Sequence, residues 1–209
     1  MRTNSCLRKT ASIVVFLAAL VAPSIAQEIR SEIAIQGSGF FTKDSNGNGV
    51  TQKGTFTGGI LGSYRYRLNR WVSAEAAYGW SRNSQLYSSS TGSGRVEANV
   101  HQATGGFVVN VPSPPRFHFS PYLLAEGGAL VFAPTNKPYG SVPGATRQTV
   151  GAFIYGGGLD YPLPVFRNVA FRLEYRGLIY DAPDYGLHSL HTAAITHTAQ
   201  PSAGLVYKF

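Results

Sequence analysis

Charged side chains of both signs alternate with apolar ones along several segments of this 209-residue chain. In the segment 169–180, Arg172, Glu174 and Arg176 fall on one parity and mostly apolar residues fall on the other. Residues two apart share a face of a β-strand, so these side chains would pair with one another. The same face of the predicted strands carries the following charges: Glu32, Arg65, Glu75, Glu126, Asp160, Arg172, Glu174, Arg176 and Lys208. Such a face could form a structural network of ion pairs or line a narrow path for ions.

Two further groups of residues have the types that bind metal ions. The segment 44–49 (DSNGNG) resembles the start of a calcium loop, but Thr55 stands where the twelfth position requires Glu. We therefore expect a hairpin tip at this segment. Three histidines lie in or beside the last long polar segment: His188, His191 and His197. Their spacing is too loose to predict a site, although Asp181 and Asp184 leave one as an alternative. No metal and no cofactor is predicted.

The first 26 residues have the pattern of a secretory signal peptide. Basic residues precede the apolar run 11–21, and small residues stand at Ser24 and Ala26. We predict cleavage after Ala26, which leaves 27–209 as one domain; an uncleaved anchor helix is the alternative. The single Cys, Cys6, precedes the apolar run, so neither a lipoprotein site nor a disulfide framework is expected.

The rest of the chain alternates apolar and polar residues with period two and lacks helical periodicity. Eight strands are predicted at about 30–41, 54–66, 71–81, 96–111, 117–132, 150–161, 169–180 and 197–209. In the fourth of these, the apolar parity changes between Val100 and Phe107. The pair Gly105-Gly106 is expected to form a bulge that exchanges the two faces there.

The connections between these strands alternate between short and long. Short connections are expected at 67–70, 112–116 and 162–168, and long polar ones at 42–53, 82–95, 133–149 and 181–196. Tight turns at one end and long loops at the other are typical of a membrane barrel, and a soluble sandwich has no reason to alternate them. The predicted fold is therefore all-β, an eight-stranded antiparallel up-and-down transmembrane β-barrel. A mean hydropathy of −0.05 excludes a helical membrane protein.

Aromatic residues concentrate near the predicted strand ends, as in the two interfacial girdles of membrane barrels. Eight strands enclose only enough room for side chains, so the charged face would fill the lumen. We predict one ionic cluster there, formed by Arg65, Glu75, Glu126, Arg172, Glu174 and Arg176. Glu126 is expected at its centre, because it lies near the middle of its strand. The cluster is interpreted as a structural plug, with a gated ion path as the alternative.

The last residues, 202–209 (SAGLVYKF), carry a local motif. Ser202, Gly204, Tyr207 and Phe209 occupy its polar, glycine, aromatic and terminal aromatic places. This pattern resembles the terminal motif of bacterial outer-membrane barrels. The whole of 27–209 resembles their small eight-stranded group, of the OmpA/OmpX type with porin-like and opacity-protein relatives. The resemblance implies that the barrel-assembly machinery recognises the last strand. The alternative is an ordinary amphipathic strand that happens to end in Phe. Peptidoglycan anchoring is not implied.

The same group includes enzymes, the lipid A deacylases, which use a His-x-Ser pair with a Glu at the outer leaflet. His118 and Ser120 have this spacing. However, they lie beside the short connection 112–116, which is expected at the periplasmic end. His188-Ser189 lies on the correct side without the spacing. No enzymatic activity is therefore predicted.

The long connections carry more basic than acidic residues. The basic ones are Lys43, Lys53, Arg82, Arg95, Lys137 and Arg147, and the acidic ones are Asp44, Asp181 and Asp184. They are either solvated loops or a surface for an anionic partner such as lipopolysaccharide phosphates. Nucleic-acid binding is not predicted despite the net charge of +8, because the basic residues are dispersed. Membrane lipid and lipopolysaccharide are the expected partners of a monomer in the bacterial outer membrane.

Two functions follow from these patterns. The first is a non-enzymatic outer-membrane barrel with an envelope-structural or surface-interaction role through its long extracellular loops. The alternative is a small porin-like channel for ions or small solutes. The sequence does not choose between them.

Overall fold

The computed structural model describes residues 30–47, 50–54, 56–89, 92–114, 118–135, 144–187, 192 and 194–209. The predicted signal peptide lies outside this range. The described strands are β1 (Ser31–Thr42), β2 (Ser45–Gly47), β3 (Val50–Gly54), β4 (Thr57–Arg67), β5 (Val72–Ser89), β6 (Gly92–Asn110), β7 (Ser120–Pro134), β8 (Gln148–Pro162), β9 (Val169–Asp181) and β10 (Ile195–Lys208). No described segment forms a helix long and apolar enough to cross a membrane.

Eight of these strands close into one antiparallel barrel. Each neighbour in the order β5, β4, β1, β10, β9, β8, β7, β6 is hydrogen-bonded to the next, and β5 pairs with β6 to complete the ring. The first and last strands meet over most of their length, from Glu32 opposite Lys208 to Thr42 opposite Thr198. Because the ring is closed, each of these eight strands pairs with a neighbour on both sides. An open edge would expose backbone N–H and C=O groups to lipid, where they find no hydrogen-bond partner. The predicted eight-stranded barrel is confirmed.

The two short strands β2 and β3 continue β1 and β4 instead of adding new strands to the wall. Phe40 pairs with Thr57 and Ser45 pairs with Gln52, so the chain advances equally on both sides of this hairpin. The Ser45 hydroxyl lies 2.9 Å from that of Thr196 on β10, and β3 pairs with β5. The prediction of a long loop at 42–53 is therefore wrong. Most of that segment extends the wall.

The predicted loop at 82–95 is also largely strand. β5 and β6 stay in one register from Val72 opposite Val109 to Ser89 opposite Gly92. This portion lies beyond the last β4–β5 pair, Gly59 with Ser81. The segment from 82 to 89 adds roughly 25 Å along the strand direction. Its sequence lacks clean apolar alternation because a wall outside the membrane meets water rather than lipid.

The predicted bulge at Gly105-Gly106 is wrong. The ladder between β6 and β7 runs without offset from Ala98 opposite Pro134 to Asn110 opposite Tyr122. Even-numbered residues of β6 face the interior on both sides of the glycines, including Val96, Val100 and Val108. The apolar parity changes because the interior changes from polar to apolar along the barrel axis.

The lumen therefore has two layers. An ionic layer lies in the half nearer the short turns, and an apolar layer lies in the half nearer the long connections. The apolar layer is formed by Val96, Ala98, Val100, Leu130, Phe132, Val150, Ile154, Leu178, Tyr180 and Tyr185. Three further members of the same cluster, Val108, Tyr122 and Leu124, lie nearer the short turns, beside the ions. The outer surface is apolar as well, with Ile35, Ile60 and Phe107 among the exposed residues, as lipid requires.

Candidate functional site in the barrel lumen

Alternation along the strands places the charged side chains inside the barrel. On β9, Arg172, Glu174 and Arg176 are buried, whereas Phe171, Leu173 and Tyr175 between them are exposed to the membrane side. Both Arg172 and Arg176 are 0% exposed. Buried guanidinium groups are tolerated only when carboxylates surround them, so the contacts of each arginine decide what this layer does.

Arg172 holds the part of the cluster nearest the short turns. Its Nε lies 2.7 Å from Oδ1 of Asp160, and its Nη2 lies 2.9 Å from Oδ2 of the same carboxylate. Nη2 also donates to Oε1 of Glu32 at 2.9 Å. The two-pronged contact with Asp160 fixes the plane of the guanidinium group. Lys208 completes this part, with its Nζ 3.6 Å from Asp160.

Arg176 holds the deeper part of the cluster. Its Nε lies 2.6 Å from Oε1 of Glu174 on the same strand. Its Nη1 lies 2.9 Å from Oε2 of Glu126, and its Nη2 donates to Glu75. One guanidinium group thus joins carboxylates from β5, β7 and β9 across the lumen.

Arg65 connects the two parts. Its Nε lies 2.6 Å from Oε2 of Glu75, and its Nη1 lies 3.1 Å from Oε1 of Glu32. The centre of its guanidinium group lies 4.2 Å from the ring centroid of Tyr122, a cation–π contact. The hydroxyl of Tyr122 in turn donates to Glu174. The ion pairs therefore form one continuous network across the barrel.

The structure brings all six predicted cluster residues together, and adds Glu32, Asp160 and Lys208 from the same predicted face. The expectation that Glu126 lies at the centre is wrong. Its register neighbours on β6 and β8 are Gly106 and Ile154, and its one ion pair among the described residues is with Arg176. Glu75, which contacts Arg65 and Arg176, is more central. Position along a strand does not reveal which side chains meet across a lumen.

The apolar layer closes the lumen above the ions. Tyr185, from the connection after β9, enters the mouth and donates its hydroxyl to Oε1 of Gln85 at 3.0 Å. Its ring meets that of Phe132 edge-on, with centroids 6.3 Å apart and planes at 89°. Burial raises the pKa of the Tyr185 phenol, so it stays a neutral donor.

The space left within this apolar layer is very small. The cavity among Leu130, Phe132 and Leu178 measures about 10 Å³. A site for one water molecule needs roughly that volume, so this cavity has no room for a column of water. The apolar layer was not predicted from the sequence, because Tyr185 falls in the segment 181–196, which was expected to be a long polar loop. The change of apolar parity at Val100 was the available indication.

None of the other candidate sites assembles within the described residues. Within the described residues, no group of three or more His, Cys, Asp or Glu could hold a metal ion. His188, His191, Asn48, Gly49 and Thr55 lie outside the described residues. The third of the three histidines, His197, is described, and its Nε2 lies 2.9 Å from the hydroxyl oxygen of Tyr155. His118 is exposed before β7, at the short-turn end of the barrel.

The four residues of the terminal motif lie on the seam between β10 and β1. Ser202 donates to Oε1 of Gln36 at 3.0 Å. A Cβ at Gly204 would overlap the carbonyl oxygen of Ile35, so the close approach at that point requires glycine. The rings of Tyr207 and Phe209 stack with centroids 6.0 Å apart. The motif therefore contributes directly to closing the ring of strands.

Comparison with known proteins identifies the family. Residues 12–209 match the family described as outer membrane protein beta-barrel domain. This protein belongs to that family. Proteins of this family lie in the bacterial outer membrane. In such barrels the short turns face the periplasm and the longer connections face outward. No curated protein sequence matches this outer-membrane barrel.

Several solved structures share the fold of this outer-membrane barrel. Neisserial surface protein A is 15% identical, with a TM-score of 0.60 over 86% of this chain and 97% of its own. OprG from Pseudomonas aeruginosa is 12% identical, with a TM-score of 0.58 over 88% of this chain and 98% of its own. Ail, the attachment invasion locus protein of Yersinia pestis, in complex with the heparin analogue sucrose octasulfate, is 18% identical, with a TM-score of 0.50 over 88% of this chain and 100% of its own. At these identities the likeness extends to the fold alone.

Proposed function

We propose that this outer-membrane barrel is a non-enzymatic, closed scaffold that presents an extended wall of strands to partners outside the cell. The observation that carries the proposal is the lumen, which is filled by ion pairs in one half and in the other by apolar side chains together with buried polar ones such as Asn83, Gln85 and Thr198. An arginine that reaches three carboxylates, as Arg176 does, is anchored rather than free to accompany a passing ion. This arrangement favours a scaffold over the porin-like alternative.

The wall outside the membrane supports a surface-interaction role. β2, β3 and the outer parts of β5 and β6 form a paired sheet rather than flexible loops. A preformed sheet loses less conformational entropy on binding than a mobile loop does. Exposed Lys43, Lys53 and Arg82 on this side favour an anionic partner, and lipopolysaccharide phosphates are the proposed one.

Three further features belong to the same proposal. Residues 1–26 are removed after Ala26, the barrel-assembly machinery recognises the terminal strand, and the barrel works as a monomer. A catalytic role finds no support at His118, which forms no hydrogen bond or ion pair within the described part of the chain. A base of a catalytic pair would need such a partner.

Electrical recording from the purified, refolded protein tests the closed lumen. We expect no stepwise conductance above that of the bare planar bilayer, because ion pairs and buried side chains occupy the lumen across the barrel. The matched variant Tyr185→Ala removes one apolar group from the mouth and leaves the ionic layer in place, so it should also stay closed. Discrete conductance steps from the wild-type protein would favour the porin-like alternative.

Labelling of single introduced cysteines tests the orientation of the wall. The only native Cys, Cys6, belongs to the predicted signal peptide, so Ser88→Cys and Val165→Cys each give the proposed mature chain one thiol. Ser88 lies in the outer part of β5, and Val165 is 82% exposed in a short turn. In intact cells, a membrane-impermeant maleimide should label Ser88→Cys and not Val165→Cys, whereas permeabilised cells should label both. Reversed labelling would contradict the proposed orientation.

A further inference from the structure

The short-turn end of the lumen opens into a polar pocket that the ionic cluster does not fill. Its volume is about 270 Å³, slightly below the range of sites for drug-sized ligands. A small molecule or a single headgroup fits this space better than a macromolecule does. The charged residues in its wall are Arg30, Arg65, Arg67, Arg70, Lys208, Glu32 and Asp160.

The two carboxylates of the pocket are already occupied by lumen arginines. Asp160 accepts hydrogen bonds from Arg172 at both of its oxygens. Glu32 accepts from Arg172 and lies 3.1 Å from Arg65. Both acids therefore face inward partners, and the rim of the pocket keeps an excess of positive charge.

Two arginines at the rim have open donor groups. Arg67 ends β4 and Arg70 follows it in the short turn, and both are exposed. Within the described part of the chain, no carboxylate lies within ion-pair distance of either side chain. The guanidinium of Arg70 lies 5.0 Å from the ring centroid of Trp71. Stacking occupies a face of the group and leaves its in-plane N–H donors for a ligand.

Neutral donors complete the pocket. Ser73, Asn110, Ser113 and Ser120 line it beside the arginines. The hydroxyl of Ser113 is buried and has no hydrogen-bond partner within the described structure. A buried polar atom without a partner is uncommon and indicates a water molecule or a ligand.

We propose that this pocket binds the phosphate group of a small molecule from the periplasmic side, with Arg67 and Arg70 as its principal donors. Arginine presents paired N–H groups that match phosphate oxygens. The phosphate belongs either to a free periplasmic molecule or to the headgroup of an inner-leaflet phospholipid. This site lies on the periplasmic side of the ionic layer, whose Glu32, Arg65, Asp160 and Lys208 form part of its wall. It is independent of the scaffold role.

Calorimetric titration of the refolded, full-length barrel with inorganic pyrophosphate tests the site. A maltoside detergent avoids competing phosphate headgroups. We expect one saturable site whose affinity falls at least about tenfold in the double variant Arg67→Gln/Arg70→Gln, because two charge-assisted donors are lost. The matched double variant Arg82→Gln/Arg147→Gln removes two exposed arginines from the opposite end and should bind as the wild-type protein does. Neither pair belongs to the ionic cluster, so both variants should fold.

Two lipid arms then distinguish the sources of the phosphate. The titration is repeated in nanodiscs of phosphatidylglycerol. Weaker pyrophosphate binding in nanodiscs than in maltoside, seen with the wild-type protein but not with Arg67→Gln/Arg70→Gln, would assign the site to a lipid headgroup. Equal affinity in lipid and detergent would assign it to a free molecule. Absence of saturable binding to the wild-type protein, or equal weakening by both double variants, would overturn the proposal.

Discussion

Replacing Arg172 with Gln should destabilise the barrel by about 3–5 kcal/mol, the cost of removing one partner from a buried ion pair. The side chain is 0% exposed and contacts both Asp160 and Glu32. Glutamine keeps the polarity and much of the length, but it leaves Asp160 with only Lys208 at 3.6 Å and Glu32 with only Arg65 at 3.1 Å and Lys208 at 3.8 Å. Urea unfolding in lipid vesicles, followed by the heat-modifiable shift of the folded band, measures the difference from the wild-type protein.

Glu126→Gln is the matched control, since it removes a charge from the same network. Among the described residues, the lumen holds the carboxylates of Glu32, Glu75, Glu126, Asp160 and Glu174 against the cations of Arg65, Arg172, Arg176 and Lys208. Acids outnumber bases, so losing Glu126 relieves repulsion while losing Arg172 increases it. We expect Glu126→Gln to cost less than Arg172→Gln, because Arg176 keeps Glu75 and Glu174 as partners when Glu126 is lost. Equal destabilisation by both substitutions would contradict this charge balance.

Deleting Phe209 should greatly reduce the amount of folded barrel in the outer membrane. The backbone of Phe209 donates to Ser31 at 2.8 Å and accepts from it at 3.0 Å, which completes the seam between the first and last strands. The two hydrogen bonds contribute roughly 1–3 kcal/mol in the purified protein. The proposed recognition by the assembly machinery adds a second loss that appears only in cells.

Comparing refolding in vesicles with assembly in cells separates these two losses. Phe209→Tyr keeps the backbone pair and the terminal aromatic ring, and should assemble normally. Phe166→Ala removes another exposed aromatic residue from a short turn and should have no effect on assembly. A deletion strain with a normal level of heat-modifiable protein in its outer membrane would refute the role given to the terminal motif.

The sequence predicted the barrel well because lipid enforces alternation. Every membrane-spanning strand must place apolar residues such as Phe171 and Leu173 outward, and the residues between them then face inward. The inward-facing charged residues could therefore be predicted from alternation alone, without knowing which of them form ion pairs with one another. The strands at 42–53 and 82–95 could not be found in this way, because their outer face meets water and their inner face carries buried polar residues such as Asn83 and Gln85. Neither face then shows an apolar pattern.

The contacts inside the lumen were beyond the reach of sequence patterns. Glu126 and Glu75 occupy comparable places on their strands, yet Glu75 joins two arginines and Glu126 joins one. The register between neighbouring strands and the curvature of the ring decide this difference. Tyr185 enters the mouth from a connection, and alternation does not apply to connections.

The outer part of β5 gives neighbouring residues very different surroundings. Asn83 and Gln85 are buried toward the mouth, whereas Arg82 and Leu86 are exposed on the outside of the wall. Substitutions at the exposed positions change what an antibody or a partner meets, and leave the contact between Gln85 and Tyr185 intact. The exposed positions of the hairpin can therefore change without disturbing the buried positions between them, and we expect the two sets to tolerate substitution to different degrees.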